Sequence, residues 1–268
     1  MNHTCGCERR CPSVCVLVSL GMDVECWRPK HRAIRFVLQA LIRLAFAFLT
    51  KLTIQGQEHL PSHGPVLLVA NHFHFADPVA VIRAMPWPLD FIGGFRLPNA
   101  PTGVKWLTRA WGTMRVRRGG SSRGALKDAE HTLRQGGAVG IFPEGGSWAS
   151  VLRPGRPGAA YLATRSGALV VPIGLDGVTE MFSALCRGRR ARIAIRIGQP
   201  LGPFPEAPRG RAGRVVLEGI SETIMKSIAE LIPPHRRGVF SAGARVREAA
   251  QAAAVYPWEQ AGKDKSHE

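Results

Sequence analysis

The sequence predicts an α/β fold: a mixed, largely buried sheet flanked by helices, with an amphipathic helix at its N-terminal side. Three observations carry this. Short apolar runs bounded by turn residues, such as Pro65-Val66-Leu67-Leu68-Val69-Ala70, have the length and composition of buried strands. Stretches with helical spacing of apolar residues, as in 122–135 and 214–232, lie between and after them. The two kinds of segment alternate along the chain, and 268 residues suffice for one large domain with a substantial core.

Taken in order, residues 1–30 form a lead-in holding Cys5, Cys7, Cys11, Cys15 and Cys26, five of the six cysteines. Their spacing matches no set of paired C-x-x-C zinc ligands, and a disulfide framework belongs to small secreted domains. The lead-in is expected to be disordered, with translation starting at Met22. Residues 31–52 read as a helix in which Arg32, Arg35, Gln39 and Arg43 make one polar stripe among ten strongly apolar residues. Those ten contribute roughly −4 to −5 kcal/mol to insertion, and two arginines held in hydrocarbon cost about 2.5 to 3.5 kcal/mol each, cancelling the gain. An in-plane, monotopic helix on an anionic membrane surface, its arginines meeting phosphates, is therefore expected; packing on the domain is the alternative.

The domain proper is read as 53–234. Leu52-Thr53-Ile54-Gln55 is its first strand, 65–70 its second and 89–94 its third. A short helix spans 104–111, with Lys105 and Arg109 exposed and Trp106, Leu107 and Trp111 turned to the core. An edge or semi-buried strand, 113–117, follows. Ala125, Leu126, Ala129 and Leu133 face inward from the 122–135 helix, which Gly136-Gly137 ends. A small Ala-rich helix over 158–166, a central strand over 168–174, a last strand over 193–197 and a terminal helix over 214–232 complete the domain. Residues 235–268 read as a basic, partly disordered tail.

Lys and Arg number 36 against 19 Asp and Glu, a formal net charge of +17, which calls for an anionic partner. Nucleic acid is one such class, but no helix-turn-helix, zinc-finger or RNP-like signature is present. A serine hydrolase needs a nucleophile elbow, and Gly146-Ser147-Trp148-Ala149-Ser150 lacks the Gly-x-Ser-x-Gly pattern.

The chemistry concentrates at Asn71-His72-Phe73-His74-Phe75-Ala76-Asp77-Pro78, between the second strand and a helix with Asp77 at its N-cap and Pro78 at its first position. Across one tight turn a carboxylate can hold the Nδ1–H of an imidazole, leaving Nε2 as a base. Phe142-Pro143-Glu144-Gly145 follows a later apolar strand, and the glycine lets backbone approach a ligand. His-x-x-x-x-Asp after one strand, then Phe-Pro-Glu-Gly after another, resembles the glycerolipid (lysophospholipid) acyltransferase family. Two further segments, Gly112-Thr113-Met114-Arg115-Val116-Arg117-Arg118 and Val170-Val171-Pro172-Ile173-Gly174, resemble other landmarks of that family in the same order. The resemblance covers about residues 56–198.

The resemblance implies the glycerolphosphate acyltransferase fold and an O-acyltransferase of phospholipid biosynthesis. It implies transfer of a fatty acyl group from acyl-CoA or acyl carrier protein to a hydroxyl of lysophosphatidic acid or a related lysophospholipid; a glycolipid or other hydroxyl acceptor is the alternative. His72 takes the hydroxyl proton, Asp77 orients it, and no metal or cofactor beyond the thioester co-substrate is called for. Arg118 takes the place of a phosphate-binding arginine, with Arg117 one residue from that register, and Arg96 takes the place of a basic residue. Phe142, Pro143, Glu144 and Gly145 bind substrate, Glu144 either accepting from glycerol hydroxyls or anchoring an arginine. The family usually continues with Thr-Arg-Ser, where this chain has Gly146-Ser147-Trp148; Arg153 or Arg156 is expected to compensate. Such an enzyme is expected at the cytoplasmic face of a membrane, with no nucleic-acid partner.

Overall fold

The computed structural model describes residues 32–62, 64–94, 110–116 and 123–254, with backbone alone at 32, 115 and 116. Among the described residues seven strands form one sheet: β1 (Thr50–Gln55), β2 (Val66–Ala70), β3 (Asp90–Gly94), β4 (Met114–Val116), β5 (Ala138–Ile141), β6 (Leu169–Asp176) and β7 (Ala191–Ile197), in spatial order β1-β7-β6-β2-β5-β3-β4. β2 sits in the middle, parallel to β5 on one side and β6 on the other. β6 and β7 are antiparallel, which makes the sheet mixed, and β1 runs parallel to β7 at one edge.

Helices cover both faces, so β2 is apolar throughout. Val66, Leu68 and Ala70 join one core with Leu38, Ile42 and Phe46 of α1 (Arg32–Leu49) and Ala80, Val81 and Ala84 of α2 (Asp77–Ala84). Leu67 and Val69 face the other core, filled from α3 (Arg123–Arg134), α4 (Gly158–Ser166) and α6 (Gly210–Leu231). Leu67 and Leu68 are both essentially unexposed, each contributing about 1.5–3 kcal/mol by burial. α6 lies so close to β6 that a Cβ on Gly174 would stand 2.5 Å from that of Leu231. A short α5 (Met181–Cys186) leads into β7, and α7 (Ala244–Ala252) ends the described chain.

Two expectations need correction. Arg35 and Gln39 of the polar stripe of α1 are buried against the protein, and Arg43, though exposed, also bonds to it. Arg35 is fully buried; its Nε donates to Trp111 O at 2.8 Å and its Nη2 meets Asp90 Oδ1 at 2.5 Å. Gln39 donates to Met85 O and Ile82 O, and Arg43 to Met85 O. The backbone carbonyls of Ile82 and Met85 near the end of α2, and of Trp111, thus find their donors on this helix. Ile34, Phe36, Val37, Leu41, Leu44, Phe48 and Leu49 are left exposed. Second, the helix stops at Leu49 and β1 starts at Thr50, whose Oγ1 donates to Phe46 O. Within the tail read as 235–268, the described part reaches residue 254 and holds two 3₁₀ turns and α7, with Ala250 buried and Trp148 Nε1 donating to Ala253 O at 3.0 Å; the rest lies outside the described residues. The cysteine-rich lead-in and Met22, and most of the 104–111 helix with Arg96, Lys105, Trp106, Leu107 and Arg109, lie outside the described residues; Trp111 is core.

Candidate active site

β2 ends at Ala70, and the next residue locks that end in place. Asn71 Nδ2 donates to Leu175 O at 3.0 Å while its Oδ1 accepts from Leu175 N at 2.7 Å, fastening β2 to β6 where the loop departs. His72 follows on this fixed base. Its Nδ1 lies 3.0 Å from Asp77 Oδ2, and that oxygen also accepts the backbone N–H groups of Phe73 and His74, each at 2.7 Å. Asp77 is the first residue of α2 and the cap position is Ala76, so the helix begins one residue earlier than the sequence suggests. The carboxylate turns back onto the loop instead of capping the helix ahead of it. With an acceptor opposite Nδ1, the ring carries its proton there and presents a lone pair at Nε2.

Phe142 stacks on the His72 ring, centroids 4.2 Å apart, and fixes its plane. The turn it opens closes through Gly145 N–H to Phe142 O at 3.0 Å, and Gly145 takes the positive φ of 76° that this turn requires. Pro143 O accepts from Arg156 N at 2.9 Å.

Glu144 is fully buried. Its Oε1 accepts the His72 backbone N–H at 2.7 Å and its Oε2 accepts Arg153 N at 3.2 Å, with Arg153 Nε 3.4 Å from Oε2. Of the two roles read from sequence, it therefore anchors an arginine. Burial pushes its pKa up to about 8 and Asp77 adds repulsion, while Arg153 and the two N–H donors pull the other way. Arg153, expected as a phosphate contact, is itself only 2% exposed: it binds Glu144 and the Gly146 carbonyl and lies 3.7 Å from the Trp148 ring centre. The Gly146-Ser147-Trp148 departure thus builds the seat for a structural arginine. Arg156 remains exposed beside the turn. Arg117 and Arg118 lie outside the described residues.

The structure thus gathers His72, Asp77, Phe142, Pro143, Glu144 and Gly145 into one cluster at the end of the central strand. Asn71 escaped the sequence reading, although its position directly before the histidine was the available signal. Among the described residues, no group of three His, Cys, Asp or Glu side chains is placed to hold a metal ion.

Comparison with known proteins bears on this cluster. Residues 51–176 match the family model described as Acyltransferase. Over 135 residues, 49% of this chain and 54% of the relative, the sequence is 26% identical to a 1-acyl-sn-glycerol-3-phosphate acyltransferase of Borreliella burgdorferi. It is 32% identical over 136 residues to the chloroplastic 1-acyl-sn-glycerol-3-phosphate acyltransferase BAT2 of Brassica napus, covering 49% of this chain and 39% of that one. The match therefore spans about half or less of these relatives. The fold is shared with the crystal structure of the 1-acyl-sn-glycerophosphate acyltransferase PlsC from Thermotoga maritima, at a TM-score of 0.51 and 22% identity, over 80% of this chain and 87% of that one. The matched region contains the whole His72–Asp77 loop and the Phe142–Gly145 turn, and over these residues the chain is similar to acyltransferases, 1-acyl-sn-glycerol-3-phosphate acyltransferases among them.

Proposed function

We propose that the protein transfers a fatty acyl group from a thioester, acyl-CoA or acyl carrier protein, to a hydroxyl of lysophosphatidic acid or a related lysophospholipid. The observation that carries this is the 3.0 Å contact of His72 Nδ1 with Asp77 Oδ2, inside the family-matched region. His72 Nε2 takes the acceptor's hydroxyl proton as that oxygen attacks the thioester carbonyl. The C–O bond forms, the C–S bond breaks, and the departing thiolate recovers the proton from His72. Asp77 stabilises the imidazolium that exists between the two transfers. Arg118 and the exposed Arg156 are the residues proposed for anionic groups on the substrates.

Membrane association belongs to the same reading. Among the described residues no helix is long and apolar enough to cross a membrane. The outward face of α1 instead offers seven large apolar side chains to a lipid surface, with Phe48 71% exposed. A net charge of +17 favours anionic lipid and anionic substrates. The burial of Arg153 favours keeping an acceptor other than plain lysophosphatidic acid in view, since one candidate phosphate contact is occupied within the protein. A panel of lysophospholipid and glycolipid acceptors, assayed with labelled acyl-CoA and acyl carrier protein, tests the proposal. Transfer to a lyso-acceptor supports it, and a folded, vesicle-bound protein that acylates none of them rejects it.

A further inference from the structure

We propose that His74 is a positioning residue for the His72–Asp77 pair, tying the loop with its Nδ1 lone pair, and that protonation of this ring unties it. The kinetic arm of the argument rests on the acyltransferase reading; the geometric arm does not. Residue 74 makes three ties within the loop. Its backbone N–H goes to Asp77 Oδ2 at 2.7 Å, its carbonyl accepts Asp77 N at 3.1 Å, and its Nδ1 accepts the Ala76 N–H at 3.3 Å. Ala76 is the cap residue of α2 and has no side chain able to close the turn, while its carbonyl accepts from Val79 N and Ala80 N. The ring of His74 performs the closure from two residues upstream, as an Asn or Asp side chain does in an Asx-turn.

A backbone N–H can only donate, so Nδ1 must be unprotonated and the ring proton must sit on Nε2. The imidazolium carries N–H at both nitrogens and would set one donor against another. Because the same residue donates to Asp77 Oδ2, displacing it disturbs the carboxylate that orients His72. The surroundings favour the neutral ring. Phe75 packs at 4.3 Å between ring centroids and Phe182, from α5, at 5.7 Å. Burial lowers the His74 pKa below that of an ordinary histidine; Asp77 opposes this and His72 reinforces it, and these two are the charged groups acting on it among the described residues.

The test uses the full chain labelled with ¹⁵N-histidine, together with His74→Asn, which keeps an acceptor but does not titrate, and His74→Ala, which has none. Ring nitrogen shifts near pH 8 should show His74 as the Nε2–H tautomer and His72 as the Nδ1–H tautomer. In kcat/KM against pH, wild type should fall on the acid side with the steepness of two protonations. His74→Asn should show one and stay within about threefold of wild type at high pH. His74→Ala should lose about two- to tenfold at every pH, the worth of one neutral hydrogen bond. An Nδ1–H tautomer at His74 overturns the proposal, as does a two-proton acid limb retained in His74→Asn or full activity in His74→Ala. Should wild type transfer no acyl group, the acyltransferase reading fails on that result, and the tautomer still decides the fate of the tie.

Discussion

The loop is built so that one carboxylate oxygen answers three donors, and the consequences can be stated residue by residue. His72→Ala should abolish transfer while leaving fold and vesicle binding intact, which circular dichroism and flotation would verify; wild-type turnover in the folded variant would reject the mechanism. Arg118→Ala, by analogy with a charge-assisted bidentate contact, should cost about 1.5–3 kcal/mol, or roughly 10- to 150-fold in kcat/KM for a phosphorylated acceptor, with little change for the thioester. Equal loss on unphosphorylated acceptors would assign it a structural role. Glu144 predicts a pH effect on stability. Its pKa in the fold is raised to about 8 from 4.5, so the unfolded chain releases that proton first, and stability falls as pH climbs from about 5 through 8. Glu144→Gln removes that slope. An unchanged Tm slope in the variant would contradict the assignment. At this scale the sequence exposed the His72–Asp77 contact, because His-x-x-x-x-Asp across a strand end is a local pattern. It did not expose the partners of Glu144. Arg153 lies nine residues further on and His72 lies 72 residues before, and only the packing of β2 beside β5 brings them together.

At the scale of elements, the helices and strands were legible from period and from Gly and Pro punctuation, and their bounds shift by a few residues. The facing of α1 was not legible. Arg35, Leu38, Gln39, Ile42 and Phe46 form its buried side, a mixture of polar and apolar groups, because the helix docks over carbonyls at Leu89, Trp111, Ile82 and Met85 as well as over apolar core. Periodicity reports that a helix has two unlike sides and is silent on which side the protein needs. Arg35→Met should therefore destabilise by about 3–5 kcal/mol, leaving Asp90 buried without its partner, and Arg35→Met with Asp90→Leu should recover much of that loss. Chemical denaturation of both variants measures it; additive losses would show that the pair is not coupled. Phe36→Asp with Leu44→Asp, by contrast, changes side chains that are 46% and 56% exposed and should leave stability nearly unchanged while releasing the protein from anionic liposomes.

For the whole molecule, charge and exposed apolar surface would hold the protein to the proposed membrane surface by different physics, and salt separates them. The +17 charge acts over a Debye length of about 10 Å at 0.1 M and about 3 Å at 1 M salt, so its pull on anionic lipid should largely vanish across that range. The exposed face of α1 requires no counter-charge, and added salt should not weaken its contact with acyl chains. Flotation on anionic vesicles should therefore show binding that drops between 0.1 M and 1 M salt to a plateau rather than to zero. Neutral vesicles should show that plateau at all salt concentrations. Phe36→Asp with Leu44→Asp should remove the plateau and keep the salt-sensitive part, so that 1 M salt strips the variant completely. Complete release of the unmodified protein by salt would mean that the apolar side of α1 does not enter the lipid. Equal binding of the unmodified protein and the variant at 1 M salt would move the docking surface to some other part of the molecule.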